Sequence, residues 1–431
     1  MKFITDIKQK DYENFITNSK KSHFLQSYKW GVFAASEKNL IPHYVGLENE
    51  KQELVAVSLL LEKKLPLGYS YFYAPRGYII NFEDLDLLRA FTNEIKSYAK
   101  RNKAIFVKID PDIIYNKQDH NGNTLIEKND KALNNLLTLG YTHLGFTKGF
   151  ETSQPRYTFR IDFTKSTNFD EVKNNFSKTT LQRIKKAEDL FVEIKIGDID
   201  SLDEFYNLMT ITEKKKDIVN QDKKYYETLY KIWSENDKCK LFLGLVDITK
   251  IKNSIKNTLT DLNEELSSFP KELSNAQKQR VEQLETRITK LKEDLAKYIE
   301  VFTHHDSPLV VSAYFILEYN DTAWVLYAGN HNVLQEVCTN YKIYEEHMKY
   351  YYNKGIKTYD LFGTVGETED TSLLGIHEFK KKFGGDYIEF IGEFDLIINK
   401  PMYFVFKKLI PIYRNKIRNK TKRSRWTYGF Y

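Results

Sequence analysis

Apolar residues recur with helical spacing through a polar stretch between Asp247 and about Tyr298. In its second half they are separated by alternating steps of three and four residues, which is the seam spacing of a coiled coil. Pro270 lies between the two halves and suits the start of a second helix, because proline is excluded from helix interiors. The pattern predicts two antiparallel helices of about 25 residues, each about 40 Å long. We assign residues 247–307 to this antiparallel coiled-coil arm. The apolar positions are Ile248, Ile251, Ile255, Leu259, Leu262, Leu266, Val281, Leu284, Ile288, Leu291, Leu295 and Tyr298.

Strand-like segments flank the arm. Residues 241–246 precede it and residues 309–317 follow it, so the two segments are predicted to pair as though the arm were absent. A projection of this kind adds little to a core and suits contact with a large partner. A dimerisation element, which would make the protein a homo-oligomer, explains the pattern equally well.

With the arm set aside, the two halves of the chain repeat one another. Each half has an initial helical segment, a meander of strands, a longer helix and a further strand. This is an α+β order in which amphipathic helices can cover a sheet. The segments are residues 26–36, 44–47, 54–61, 69–77, 85–102 and 104–110 in the first half, and residues 201–214, 241–246, 310–318, 323–329, 332–353 and 358–362 in the second.

The same order of elements is found in the acyl-CoA N-acetyltransferase superfamily. In that superfamily closely spaced glycines at a helix start receive the cofactor pyrophosphate. None of the 19 glycines here forms a Gly-x-Gly motif. We therefore predict an α+β fold of two acetyltransferase-like subdomains with an inserted arm, and we expect no acetyl-CoA and no other cofactor.

Composition narrows the class of protein further. The 431 residues include 30 Tyr and 28 Phe, which argues against disorder and allows sizeable cores. The start of the chain lacks signal-peptide features and no apolar stretch is long enough to span a membrane, so we expect a cytoplasmic protein. Cys239 and Cys338 form no disulfide framework, and no zinc motif is present, so no metal is expected.

Charge is distributed unevenly along the chain. The net charge is +6, yet ten basic residues and no acidic residue follow Asp395. Apolar side chains such as Tyr403, Phe404 and Trp426 are interleaved with them. A segment of this kind suits an anionic surface, either phospholipid or RNA, although a solvated terminus is the simpler alternative. We assign residues 396–431 to a basic tail.

Eight short segments, in this order along nearly the whole chain, match one known family. Each is a weak signal alone, but their ordered combination is specific. With them the chain resembles the Fem family of peptidoglycan-bridge enzymes, and most closely the members that add the first bridge residue to lipid II. The segments are residues 24–30, 75–77, 107–112, 154–156, 327–329, 360–363, 378–384 and 391–395.

The resemblance implies a fold and a reaction. The first acetyltransferase-like subdomain would span residues 1–160, and the second would combine residues 161–246 with 308–395. The family moves an amino acid from aminoacyl-tRNA onto an amine of a cell-wall precursor. Aminolysis of an ester needs no covalent enzyme intermediate, but the site must orient or deprotonate the amine and stabilise an oxyanion.

Two residues are candidates for catalysis. Asp110 ends a predicted strand before Pro111 and matches the carboxylate proposed as general base in the family; its simpler role is to stabilise an Asp-Pro turn. Lys380 matches the lysine of a Phe-Lys pair at the family's active site, where its ammonium could hold the oxyanion or the terminal ribose. Its alternative is one of three consecutive lysines on a solvated loop.

The substrate-binding candidates also come from the resemblance. Phe379 precedes Lys380, and Tyr327 matches a tyrosine that contacts the muramyl precursor, although a core aromatic is an equal alternative. Lys215 stands where the family has an arginine, so it keeps the charge and loses the bidentate fork. Lys178 and Arg183 lie in a basic segment similar to the family's, or on a solvated helix face. Arg156 ends the 154–156 segment.

Three functional hypotheses follow. The first is an aminoacyltransferase that moves glycine, serine or alanine from aminoacyl-tRNA to the stem-peptide amine or growing bridge of lipid II, held by its tail at the inner membrane leaflet. The second is a family member that alters the bridge as self-immunity against a cell-wall endopeptidase. The third is a degenerate RNA- or membrane-binding scaffold, suggested by Ala34, where several relatives have lysine.

Overall fold

Two large sheets organise the chain. The computed structural model describes residues 1–216, 218–219, 221–368, 371–409 and 426–427, with side chains described for residues 1–214, 221–368 and 373–407. The strands are β1 (Lys2–Thr5), β2 (Ile41–Glu48), β3 (Leu54–Lys64), β4 (Ser70–Ala74), β5 (Ala104–Ile109), β6 (Ile114–Gln118), β7 (Thr124–Ile126), β8 (Tyr141–His143), β9 (Tyr157–Asp162), β10 (Glu193–Gly197), β11 (Ile218–Val219), β12 (Cys239–Val246), β13 (Leu309–Tyr319), β14 (Thr322–Asn330), β15 (Thr358–Asp360), β16 (Asp386–Phe390), β17 (Phe394–Ile397) and β18 (Trp426–Thr427).

Helices cover both sheets. Local signals set many of their ends: α3, for example, begins where the Asp84 carboxylate accepts a hydrogen bond from the Leu87 amide at 3.0 Å. The helices are α1 (Gln9–Thr17), α2 (Tyr28–Lys38), α3 (Leu85–Arg101), α4 (Asp130–Thr138), α5 (Phe169–Lys173), α6 (Lys178–Asp189), α7 (Leu202–Lys216), α8 (Lys223–Ser234), α9 (Ile248–Ser267), α10 (Asn275–Val301), α11 (Thr339–Asn353), α12 (Thr371–Lys381) and α13 (Lys400–Phe404).

The predicted repeat is present in both sheets. The first sheet has the strand order β1-β2-β3-β4-β5-β17-β8, and the second has the order β10-β12-β13-β14-β15-β9-β16-β6-β7. In each, three antiparallel strands lead through a helix, α3 or α11, to a strand parallel to the third. The α+β class and the doubled unit are therefore confirmed.

Strands cross between the two halves in a way the sequence did not indicate. The early strands β6, β7 and β9 belong to the second sheet, whereas the late strand β17 lies between β5 and β8 of the first. The strands of each sheet therefore do not all fall within one of the two predicted subdomains, residues 1–160 and residues 161–246 with 308–395. The subdomain boundaries themselves stay a prediction. The exchange ties the two units together, because neither sheet is complete without strands from both halves.

A core shared by the two sheets lies between them. It joins Phe24 and Leu59 from the first half to Phe205, Leu241 and Trp324 from the second, and all five side chains are at most 2% exposed. Burying one large apolar side chain contributes about 1.5–3 kcal/mol. The two units therefore form a single hydrophobic structure rather than two loosely linked domains.

The segment between β12 and β13 forms two long helices that pack against one another. Helix α9 has 20 residues and α10 has 27. Near the far end Leu262 packs with Leu284 and Ile288, and near the base Ile255 packs with Tyr298, so the helices run in opposite directions. Supercoiling of this pair remains a prediction.

The limits of this arm differ slightly from the pattern. Pro270 lies in the connection, and α10 begins only at Asn275, because Ser274 and Gln277 form a reciprocal capping box there. Val246 pairs with Leu309 across the base of the arm. The prediction that the flanking strands pair directly is therefore confirmed.

Helix α11 starts later than predicted. The pattern placed a helix over residues 332–353, but Leu334 and Cys338 have left-handed backbones with φ of 58° and 63°. Such residues interrupt a right-handed helix. Residues 331–338 therefore form a loop, with one 3-10 turn at Gln335–Val337, before the N-terminus of α11, and this loop lines a cavity described below.

Candidate active site

Asp110 is a buried carboxylate at the end of β5. Its side chain accepts hydrogen bonds from the Tyr73 hydroxyl at 2.8 Å and from the Arg76 backbone amide at 2.7 Å. Both partners belong to or follow β4, so the carboxylate is held by the neighbouring strand rather than by an Asp-Pro turn of its own. Asp110 is only 3% exposed.

Burial raises the pKa of Asp110 from 3.8 to about 7. The charge of Arg76 opposes this increase, and the nearby carboxylate of Glu393 adds to it. A carboxylate with a pKa near neutrality can both accept and release a proton at physiological pH. Among buried acids such perturbation often marks a functional site.

Lys380 is buried as well. It lies in the last turn of α12, is 7% exposed, and donates hydrogen bonds from Nζ to the carbonyl oxygens of Phe362 at 2.6 Å and Gly363 at 2.7 Å. Lys381 beside it is exposed. The solvated-loop alternative is therefore wrong for Lys380, because the helix turns this lysine inward.

Asp110 and Lys380 flank one small cavity between the two sheets. This central cavity has a volume of about 10 Å³. Arg76, whose amide binds Asp110, and Phe362 and Gly363, whose carbonyls bind Lys380, all contribute to its wall. Neither Asp110 nor Lys380 lines the cavity, but each forms a hydrogen bond with a residue that does. The lining residues are His23, Arg76, Pro155, Tyr157, Thr158, Arg160, Trp324, Asp360, Phe362, Gly363 and Phe390.

A charged cluster in this wall was missed by the sequence analysis. Arg160 donates to Asp112 at 3.0 Å and to Asp360 at 2.7 Å. Burial alone would raise the pKa of Asp112, but the Arg160 guanidinium outweighs it and holds that pKa below its ordinary value. Asp112 and Asp360 each lie in a segment shared with the Fem family, and this was the available signal; nothing marked Arg160.

His23 lies in the same wall. Its Nδ1 accepts a hydrogen bond from the Leu25 amide at 3.1 Å, and its ring packs 5.0 Å from the Trp324 ring. Burial lowers its pKa to about 3, so the imidazole is neutral at physiological pH. A neutral histidine does not offset the charge of the cluster, which therefore rests on the arginines and carboxylates.

A second, larger cavity lies beside the loop that precedes α11. This loop cavity has a volume of about 300 Å³ and is lined by Arg183 and Phe379 together with the loop. Arg183 donates to the Tyr341 hydroxyl, and its guanidinium lies 4.8 Å from the centre of that ring. The buried Thr339 hydroxyl in its wall has no hydrogen-bond partner among the described residues. The cavity thus offers a cation, aromatic rings and a polar group to a ligand.

Helix α12 connects the two cavities. Phe379 lines the loop cavity, and its ring packs against Tyr341, Tyr344 and Phe383 at 5.0–5.2 Å. The next residue, Lys380, turns instead to the wall of the central cavity. Consecutive residues on a helix point in different directions, so the Phe-Lys pair reaches both spaces at once.

Tyr327 lies in the shared core. Its hydroxyl is 2.9 Å from that of Tyr225, and its ring lies 5.1 Å from that of Tyr226. Burial raises its pKa well above 10. This is the arrangement expected of the core-aromatic alternative, and a contact with the precursor stays a prediction.

Arg156 is turned into the protein. It is 2% exposed, forms an ion pair with Glu389, and donates to the Thr147 carbonyl at 3.0 Å and the Tyr157 hydroxyl at 2.7 Å. These internal contacts do not support the substrate-binding role expected from its motif. The ion pair with Glu389 links the start of β9 to β16, and a contact of Arg156 with substrate stays a prediction.

The remaining basic candidates lie at the surface or outside the described part. Lys178 is exposed at the first position of α6, next to Ser177, whose hydroxyl caps the helix. Lys215 falls in α7, but its side chain lies outside the described residues. Most of the basic tail, residues 410–425 and 428–431, also lies outside them.

Two kinds of feature are absent from the described residues. No helix in the described ranges has the length and apolarity needed to cross a membrane. Within the same ranges, no three His, Cys, Asp or Glu side chains lie together as a metal site would require.

Comparison with known proteins places the chain in a family. A sequence model of the FemAB family matches residues 7–410, and the chain belongs to that family. It is 28% identical over 437 aligned positions to a lipid II:glycine glycyltransferase of Staphylococcus aureus, covering 97% of this chain and 99% of the relative. The crystal structure of FemX is similar, with a TM-score of 0.73 and 25% identity over 94% of this chain and 99% of that one.

Proposed function

We propose that this protein is a peptidoglycan-bridge aminoacyltransferase that uses aminoacyl-tRNA as donor and lipid II, or its extended form, as acceptor. The amino acid would be glycine, serine or alanine. Family membership and the lipid II:glycine glycyltransferase relative support the reaction class. The Phe379–Lys380 pair supports the location of the active site, because Phe379 lines the loop cavity and Lys380 binds the wall of the central cavity. The Asp110 carboxylate, whose pKa is about 7, binds the same wall.

The chemistry is aminolysis of the aminoacyl ester. The acceptor amine attacks the ester carbonyl carbon and forms a C–N bond, and the carbonyl oxygen becomes an oxyanion. The C–O bond to the ribose then breaks, and the ribose oxygen takes up a proton. Asp110 would accept the proton that the amine loses, because its pKa allows proton exchange near neutral pH.

Lys380 would act on the oxyanion. Its ammonium is held in place by two carbonyl oxygens, so it requires little reorganisation as negative charge develops. A buried positive charge also acts more strongly than a solvated one. These two features distinguish Lys380 from the exposed Lys381 next to it.

The loop cavity suits the donor. Phe379 and Tyr341 offer aromatic surfaces for a terminal base, and Arg183 offers a cation for its phosphate. Lys178 and Lys215 would extend the basic surface towards the rest of the tRNA. The acceptor amine would enter through the central cavity, which must widen because about 10 Å³ accommodates at most one water molecule.

Alternative functions remain distinguishable. A self-immunity factor would carry out the same chemistry and differ in the bridge it makes. A scaffold would have no use for a buried carboxylate with a raised pKa, so the geometry of Asp110 favours an enzyme. Ala34 gives the scaffold little support, because it is fully buried in the shared core, where a lysine would need to be desolvated.

A mass measurement tests the proposal. The purified protein is incubated with a mixture of charged tRNAs and lipid II, and the product is weighed. The wild type should add one or more amino-acid residues, and the added mass identifies the amino acid. Lys380→Met should reduce turnover by about 100-fold or more, as loss of one oxyanion donor does. Lys381→Met is the matched control and should retain activity; equal losses in both variants would refute the assignment.

The arm allows a separate test of the donor. Its outer half rests on its own small cluster around Leu262 and Leu284, whereas its base packs on the body of the protein. Replacing residues 259–291 with a short loop should therefore leave the fold intact. If the arm contacts tRNA, the truncated protein should bind charged tRNA more weakly while its secondary structure is unchanged. Unaltered tRNA binding with loss of a dimer would identify the arm as a dimerisation element.

A further inference from the structure

Three chain segments meet at one end of the first sheet. The parallel strands β4 and β5 both begin there, and β17 ends there, because Ile397 pairs with Phe106. The turn Pro66–Gly68 precedes β4, and helix α13 follows β17 after two residues. This end of the sheet lies opposite Asp110, which stands at the other end of β5.

Helix α13 is anchored to this end by aromatic contacts. The Tyr403 ring of α13 lies 5.5 Å from the Phe106 ring, and just beyond the helix the Phe406 ring lies 5.7 Å from the Tyr71 ring. The Tyr403 hydroxyl also donates to the buried Asp395 at 2.8 Å. The helix therefore has a defined position beside the turn that precedes β4.

Two large apolar side chains project from this surface into solvent. Leu67 at the tip of the turn is 89% exposed, and Phe404 of α13 is 58% exposed. Leu67 also has a left-handed backbone, with φ of 63°, which is unfavourable for a leucine. A polar residue such as asparagine would suit this position better in a turn that only faced water. The leucine is therefore better explained by an apolar contact outside the chain.

Basic side chains surround the two apolar ones. Lys63 and Lys64 precede the turn, Lys103 lies in the adjacent turn before β5, and Lys400 begins α13; all four are exposed. Lys64 is paired with the buried Glu62, so its charge is partly balanced. Beyond α13 the sequence continues with basic residues and no acid. Apolar tips within a basic rim are complementary to an anionic lipid surface.

We propose that Leu67 and Phe404, with the surrounding lysines, form a docking surface that inserts into the headgroup region of an anionic phospholipid bilayer. This inference rests on the proposed function, because an enzyme with a lipid-linked acceptor must work at the membrane surface. At about 3.3 Å per residue along β5, docking holds Asp110 about 20 Å above the lipid. That height suits an amine carried on a peptide that extends from the lipid.

Vesicle binding tests the proposal. The full-length protein is sedimented with vesicles of phosphatidylglycerol and, separately, of phosphatidylcholine. We expect binding to phosphatidylglycerol that weakens with salt, and little binding to phosphatidylcholine. The double variant Leu67→Asn, Phe404→Gln should bind phosphatidylglycerol at least about tenfold more weakly, the effect of withdrawing a buried apolar side chain. Asparagine tolerates the left-handed backbone, so the fold should be preserved.

Phe191 provides the matched control. It is 57% exposed with φ of 52°, so Phe191→Asn makes the same kind of change elsewhere on the surface. This variant should bind vesicles like the wild type. Wild-type affinity in the double variant would overturn the proposal, as would equal loss in Phe191→Asn. A dimer that the double variant dissociates, without vesicle binding by the wild type, would also overturn it and make this surface an interface between copies.

A second measurement separates this proposal from the proposed function. Turnover is measured with lipid II in detergent micelles, where docking on a bilayer is not needed. The double variant should match the wild type in that assay. If neither protein turns over but vesicle binding follows the expected pattern, the docking surface stands and the aminoacyltransferase proposal fails.

Discussion

Replacing Asp110 with asparagine should abolish catalysis and at the same time stabilise the protein at alkaline pH. Asparagine has nearly the same shape, and its oxygen can still accept the hydrogen bond from the Arg76 amide. Its amide group can donate to the Tyr73 hydroxyl, which now accepts instead of donating. The change therefore removes an ionisable group from a buried position while preserving its packing and its partners.

The size of the effect follows from the pKa. In the unfolded chain Asp110 ionises with its ordinary pKa of 3.8, and burial raises the pKa to about 7 in the folded protein. Between these two values the folded protein holds a proton that the unfolded chain has lost, so stability decreases as pH increases. At 1.36 kcal/mol per pKa unit, the complete loss is at most about 4 kcal/mol. This loss of stability is complete above about pH 7 and absent below about pH 4.

The asparagine variant lacks this pH dependence. Its free energy of unfolding relative to the wild type should therefore increase by about 3 kcal/mol between about pH 5 and about pH 8.5. Urea denaturation at the two pH values measures this difference directly, and the comparison between variants cancels the contribution of all other titrating groups. Transfer activity is measured on the same samples.

Asp112→Asn is the matched control, because it makes the same chemical change two residues away with the opposite expected sign. Asp112 is ionised throughout this pH range, since Arg160 lowers its pKa. Removing it should destabilise the protein by about 1.5–3 kcal/mol, the cost of losing a hydrogen bond between charged groups while Arg160 keeps its ion pair with Asp360, with little dependence on pH over this interval. If Asp110→Asn were instead destabilising and independent of pH, the reasoning about Asp110 would be refuted.

Further changes test other parts of the site. Glu393→Gln should lower the pKa of Asp110, because a carboxylate that raises it has been removed, and carbon-13 NMR of the Asp110 carboxyl would measure the change without relying on activity. An unchanged pKa would show that Glu393 has no electrostatic effect there. Gly384→Ala should destabilise the protein by about 1–3 kcal/mol, because φ is +74° and the added carbon would collide with the backbone oxygen of Asn175. A melting temperature within error of the wild type would contradict this. Lys380→Arg should retain the charge but lose much of the activity, because the larger guanidinium does not fit the pocket formed by two carbonyl oxygens; activity close to wild type would argue that charge alone suffices.

Local features of the sequence predicted the repeated elements of the two halves and the two helices of the arm. The repeated order of meander, helix and parallel strand was visible because strand alternation, helical periodicity and turn residues depend on neighbouring positions. The pairing of Val246 with Leu309 followed from two strand-like segments around a helical insertion. Errors arose where backbone geometry departs from local preference, as at Leu334 and Cys338 before α11.

The candidate site was only partly predictable. Asp110 and Lys380 were selected through a resemblance to the Fem family, and in the structure each binds a residue that lines the same small cavity. Arg160 had no sequence signal, since its partners Asp112 and Asp360 are far apart along the chain. The motif of Arg156 likewise did not reveal that Glu389 lies beside it, and its substrate-binding role stays a prediction.

The amino-acid sequence by itself determined the repeated order of helices and strands in the two halves, the position of the arm and the accumulation of positive charge after Asp395. Tertiary structure alone decided which strands share a sheet, that Lys380 is buried while Lys381 is exposed, and that burial raises the pKa of Asp110. The physical reason is the sequence separation over which each interaction acts. Periodicity and capping act between residues a few positions apart, whereas desolvation and ion pairing depend on groups that only the folded chain brings together.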